Sequence, residues 1–136
     1  MTSKVVRSEG ARWPSLPVRE YKAHLDDSPE LFRDVVRRVL LGAAPGEEEL
    51  SFELRYFEVA AGGWSTLERH QHPHAVVVLV GRGEVVLGDE RHPLAPFDAV
   101  YIAPGDPHQF RAAEDQPLGF LCVVDRHRDR PVPIEG

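Results

Sequence analysis

The chain has 136 residues, about one domain's worth and enough to bury a core of its own. With 42% apolar and 28% charged residues it is globular rather than disordered. A net charge of −6, with both signs mixed along the chain, argues against nucleic acid as a partner.

The first ten residues, "MTSKVVRSEG", lack the apolar stretch of a secretion signal. The longest apolar run, residues 75–80, has six residues, against the roughly 20 that span a bilayer. A soluble, cytoplasmic protein with no membrane partner is expected. Residues 1–27, with Pro14 and Pro17, read as an extended arm or a short edge strand. "DSPELFRDVVRRVLLG" predicts one N-terminal helix over residues 29–41. Ser28 can cap it, Pro29 suits its first position and Glu30 its positive end. Leu31, Val35, Val36, Val39 and Leu40 recur at helical spacing, and Gly42 ends the run. This helix would cover one face of the domain or take part in a dimer contact. "AAPGEEE" is then a loop.

From Leu50 onward the pattern is that of strands. "LSFELRYFEV" places Phe52, Leu54 and Tyr56 on one face, and Gly62-Gly63 interrupts it. "AVVVLV" reads as a buried strand, "GRG" as a turn, "EVVL" as the returning strand and "GDE" as another turn. "RHPL", "DAVYI", "HQFRA" and "LGFLCVV" follow. Turns about every eight to twelve residues predict an all-β sandwich or barrel. "GRGEVVLG" fits no phosphate-loop spacing and is a hairpin turn. The charged, Pro-rich "DRHRDRPVPIEG" reads as a loose tail. One domain is expected: arm and helix over residues 1–49, strands over 50–124, tail over 125–136. The lone cysteine, Cys122 in "FLCVV", excludes an internal disulfide and reads as a buried apolar thiol.

The chemistry concentrates in "ERHQHPHAVVVLVGRG", which holds Glu68, His70, His72 and His74. Alternate residues of a strand share a face. On a straight strand, however, positions 68 and 74 lie ~20 Å apart, and no ion with bonds of about 2 Å joins them. A turn must fall inside the cluster, and "QHP" with Pro73 is the place for it. Spacing alone leaves two candidate pairs before the turn, Glu68/His70 and His70/His72. A polar hairpin rim rich in histidine is the plain alternative, which a fourth histidine after "PGDP" makes weaker. His24 and His127 lie among charges and read as surface residues, as does His92 at a strand end. Trp13, Trp64, Tyr56, Tyr101 and Phe110 read as packing residues, with Trp64 near enough to the cluster to line a pocket.

Here the sequence resembles the cupins, small double-stranded β-helix (jelly-roll) barrels, over roughly residues 50–124. Their first motif is G(X)5HXH(X)3-4E(X)6G. In this chain Gly62, Glu68, His70, His74 and Gly81 keep every interval, with a glutamate at the first histidine position and a histidine at the glutamate position. The second motif, G(X)5PXG(X)2H(X)3N, falls on residues 97–112, where Gly105 and His108 match. Phe97, Ala103 and Ala112 stand at its glycine, proline and asparagine positions. The resemblance implies an all-β cupin barrel holding one divalent metal (Fe, Mn, Cu, Ni or Zn) on Glu68, His70, His74 and His108. His72 is then a solvated turn residue, a hydrogen-bonding support behind the ligands, a catalytic acid/base or an alternative ligand. It further implies a small-molecule substrate or ligand and a homodimer. Dioxygenase-like oxidation is the favoured chemistry, a metal-dependent isomerase is next, and a non-catalytic metal- or metabolite-binding module is the alternative.

Overall fold

A computed structural model describes residues 3–19, 31–42 and 46–134. They form β1 (Arg33–Leu41), β2 (Phe52–Trp64), β3 (Glu68–Arg69), β4 (His74–Gly81), β5 (Gly83–Leu87), β6 (Glu90–Leu94), β7 (Ala99–Ile102), β8 (His108–Ala112), β9 (Leu118–Asp125) and β10 (Val132–Pro133). All are joined in one curled antiparallel sheet, in the order β10-β3-β8-β2-β9-β4-β7. β1 lies on β2, and the β5–β6 hairpin pairs through β5 with β8. The all-β expectation therefore stands. No helix of the described residues is long and apolar enough to cross a membrane.

The helix expected over residues 29–41 is corrected: from Arg33 onward this segment is a strand, and residues 29 and 30 lie outside the described residues. Val35, Val36 and Val39 explain the difference. Their branched side chains are stiff at χ1 and fit a pleated surface, and an available partner strand outweighs helical spacing. β1 runs along β2 with Arg37 opposite Phe57 and Val39 opposite Arg55. Asp34, at φ 55°, absorbs the register shift at its start. Val35 and Arg37, two apart on one face, both line the internal cavity.

β2 presents Arg55, Phe57 and Val59 inward, while Tyr56 on its other face is covered by Trp13, with ring centroids 5.1 Å apart. β4 alternates rather than being buried throughout: Val76 and Val78 are in the core and Val77 is exposed. Val59, Val85, Ile102 and Leu118 complete the packed end. Phe120 stacks on both Phe57 and Phe110, with ring centroids 5.5 and 4.3 Å away. These three rings belong to the core and also floor the cavity. Tyr101 departs from its expected core position and is 68% exposed on β7.

Two motif positions show why their backbone is unusual. Gly81 has φ 78°, and a Cβ there would overlap the carbonyl of Pro117, so β4 and the turn before β9 meet only through glycine. Phe97 has φ 75° where the family motif places glycine, and its ring points into solvent. The tail also differs from expectation. Val132 pairs with Arg69 and Pro133 with Glu68, and the Ile134 N–H donates to the Leu67 carbonyl at 2.8 Å. The segment is an edge strand closing over β3.

Candidate metal centre

β3 and β8 are neighbours, with Glu68 directly opposite His108, so their side chains share a face. Their Oε1 and Nε2 atoms are 3.9 Å apart. After Arg69 the chain turns back over residues 70–73, with the Gly105 N–H donating to the His70 carbonyl at 2.7 Å, and β4 then starts at His74. This is the turn that the spacing required. It stacks the rings of His70 and His72 at 3.7 Å and of His70 and His74 at 4.5 Å, with His108 edge-on to His70 at 4.6 Å. Ligand atoms within 4.8 Å of one another form two trios, Glu68/His70/His108 and His70/His72/His74. His70 belongs to both, and all five candidate residues are brought together.

Proton positions, inferred from hydrogen-bond partners, show that the cluster suits a cation. His70 Nδ1 donates to the His72 carbonyl at 2.6 Å, and His108 Nδ1 donates to the Asp106 carbonyl at 2.9 Å. Both neutral rings therefore carry their proton on Nδ1. Their bare Nε2 atoms face each other at 3.1 Å, acceptor against acceptor. His70 does not take up a proton to relieve the clash at neutral pH. Burial, then the neighbouring His108 and His72, hold His70 down at about 4. A metal ion does resolve it, and imidazole rings fixed through Nδ1 by carbonyls are the usual support for metal ligation through Nε2. His74 is likewise pushed well below the ordinary histidine range, first by burial and then by His70 and Arg55. It stays neutral, as a ligand must be.

His72 is not a solvated turn residue; it is 6% exposed. Its Nδ1 donates to Asp129 at 2.8 Å, and the same carboxylate accepts the backbone N–H groups of His72 and Gln71 at 3.0 and 2.8 Å. The Gln71 N–H and then the His72 ring hold Asp129 well below the usual carboxylate range. The C-terminal segment therefore pins the turn that carries the cluster. His72 Nε2 lies 3.2 Å from His74 Nε2.

The cluster lies against a cavity of about 480 Å³. Glu68, His72, His74 and His108 line it, and so do Arg37, Arg55, Arg126, Arg128 and Arg130. Cys122 is buried as expected, but it also lines the cavity, with Sγ 3.1 Å from His74 Nδ1. Burial pushes its thiol up. His92 and His127 are exposed, as expected, and Trp64 packs between the guanidinium groups of Arg33 and Arg111 rather than lining the cavity. His24 lies outside the described residues. The sequence reading missed Asp129 and the arginines. Arg55 had a signal, because it shares strand parity with Phe57 and Val59; Asp129, 55 residues beyond His74 in a charged segment, had none.

The model of the family described as "Cupin domain" (Cupin_2) matches residues 55–124. A Rhodospirillum rubrum protein named 1-methylthio-D-xylulose 5-phosphate methylsulfurylase is 47% identical over 126 residues, covering 92% of this chain and 76% of that protein. The crystal structure of a cupin-2 domain from Rhodospirillum rubrum matches with TM-score 0.78 at 44% identity, covering 97% of this chain and 84% of the other. A cupin 2 conserved barrel protein from Rhodopseudomonas palustris matches with TM-score 0.82 at 42% identity, covering 98% and 87%. Sequence and fold agree, and the chain belongs to the Cupin_2 family of cupin domains.

Proposed function

We propose that the chain is a metal-dependent enzyme acting on a small phosphorylated ketose that carries a methylthio group, the substrate named for its Rhodospirillum rubrum relative. The observation that carries this reading is one cavity joining the imidazole cluster to a surplus of arginines. Glu68, His70, His74 and His108 are the proposed donors for one divalent ion, a mixed N/O set that suits Mn, Fe, Ni, Cu or Zn. Such an ion supplies Lewis-acid polarisation of a substrate oxygen. The remaining work falls to the chain itself. His72, with Nδ1 held by Asp129, keeps Nε2 for taking up or returning a proton. Phe57, Phe110 and Phe120 give the cavity an apolar floor that limits water around the reacting carbon.

The test is incubation of the metal-loaded protein with 1-methylthio-D-xylulose 5-phosphate, following the S-methyl proton resonance. Reductive loss of that group consumes two electrons, so the assay is run with and without a thiol reductant, and with and without O2. Disappearance of the substrate resonance over many turnovers is expected. Oxygen uptake coupled to product would restore the dioxygenase-type reading, and binding without chemical change would make the chain a metabolite-binding module.

We further propose that the chain pairs as a homodimer. The outer face of β4, β7 and β9 exposes Val77, Tyr101 and Val123, and Ala75, Ala99 and Leu121 extend the same apolar surface. Such a surface marks a protein contact, and a self-complementary pair is its simplest use. Light scattering is expected to return twice the chain mass. The mass of a single chain at every concentration would remove the dimer.

A further inference from the structure

The cavity has a second chemical feature besides its imidazoles: cationic side chains not matched by carboxylates. Among the described residues five arginines and three carboxylates line it, although the whole chain carries a net charge of −6. Two of those carboxylates have other work. Asp129 is held by Gln71 and His72, and Glu68 faces His108. Glu53 remains, and it is 3.3 Å from Arg128, whose other Nη donates to the carbonyls of Asp125 and Arg126 at 2.9 and 3.3 Å. Arg126 is engaged by Glu49 and by the carbonyl of Gly42. Arg55 is only 6% exposed, and its Nε has no hydrogen-bond partner among the described residues. One Nη donates to Cys122 Sγ at 3.6 Å, a weak acceptor for a guanidinium. The buried Nε of Arg37 has no partner among them either. The charges of Arg55 and Arg128 act on Arg37, and Glu53 opposes them.

A buried guanidinium N–H without an acceptor is costly, and adjacent like charges add to that cost. An anion entering the cavity removes both penalties at once. Guanidinium groups are suited to it because their planar fork matches phosphate and carboxylate oxygens in pairs. Strand pairing explains how they converge. Arg55 on β2 is opposite Val39 of β1 on one side and Cys122 of β9 on the other, and Arg37 shares Val39's parity. Arg55 also reaches the imidazoles through one intermediate atom, Cys122 Sγ, which is 3.1 Å from His74 Nδ1.

We propose that Arg37 and Arg55 form an anion subsite that takes the phosphate of the substrate and leaves its uncharged end at Glu68, His70, His74 and His108. The inference rests on reading the cavity as a substrate pocket, but it is tested without turnover. Calorimetric titration with D-xylulose 5-phosphate, D-xylulose and inorganic phosphate uses probes that lack the methylthio group. The phosphorylated sugar is expected to bind about tenfold or more tightly than the free sugar, with inorganic phosphate competing. Arg55→Gln and Arg37→Gln are each expected to weaken phosphate-ester binding about tenfold or more while metal content stays at the level of the parent. Arg91→Gln removes an equal charge at an exposed β6 position paired with Glu84, and is expected to change nothing. Should Arg55→Gln fail to fold, Arg37→Gln and the parent titrations still decide. Equal affinity for D-xylulose and its phosphate, or unchanged binding in the arginine variants, would overturn the subsite even if turnover is observed. Phosphate-selective binding without turnover would keep the subsite and remove the enzyme.

Discussion

A His70→Ala protein purified without added metal or a histidine tag is expected to carry almost no divalent ion, where the parent carries about one equivalent. Turnover should fall by about three orders of magnitude, the equivalent of roughly 4 kcal/mol of lost transition-state stabilisation. His70 is the position to test first because it belongs to both trios of ligand atoms. Its Nε2 lone pair faces that of His108 at 3.1 Å, an arrangement that a cation resolves, while burial keeps a proton off His70. His108→Ala should behave in the same way. Thermal unfolding adds an independent readout. Chelation should lower the Tm of the parent, because a ligand that binds only the folded state stabilises it. The Tm of His70→Ala should not respond. Full metal content in both variants would sink the assignment, whatever the activity.

The second large effect separates Glu68 from His72. Glu68→Gln is expected to lose most of the bound metal, since a neutral amide replaces the charged donor opposite His108. His72→Ala is expected to keep the metal and lose turnover, because its Nδ1 is committed to Asp129 and its proposed task is proton exchange. Asp129→Asn should fall between them. It removes the carboxylate that holds both the His72 ring and the backbone of the turn, and losses of such supporting groups commonly cost about 10–100-fold in affinity or activity. Metal content by elemental analysis, read beside kcat, distinguishes the three. If Glu68→Gln retains its metal and His72→Ala loses it, the ligand set moves to His70, His72 and His74, which the second trio also allows.

Periodicity misled at the one segment where two periods overlap. Leu31, Val35, Val36, Val39 and Leu40 fit a helical stripe, yet Val35, Arg37 and Val39 also fit an alternating strand. A local window cannot choose between them, because the choice depends on β2 lying free to pair. The cost of that error was functional as well as architectural. Read as a strand, β1 turns Arg37 into the cavity; read as a helix, it leaves Arg37 on a solvated face. The cluster itself was more legible. Ion-to-ligand distances forbid a straight strand through residues 68–74, so the turn at Pro73 followed from geometry before any coordinates. The motif intervals then placed His108 with it.

Contacts between residues near in sequence, or at fixed intervals, are written into the chain. The strand-rich pattern after Leu50, the turn within the histidine run, Gly81 at a position no side chain fits and the partnership of residues 68–74 with His108 all belong to this kind. Contacts across long separations are not, because closing a large loop leaves no periodic or compositional trace in the segments it joins. Asp129 reaches back to His72 across 57 residues and turns a charged tail into the clamp on the histidine-bearing turn. Arg55 is placed beside Cys122 across 67 residues. Folding therefore brought the imidazoles and the arginines into one cavity, although neither group carries any sequence sign of the other.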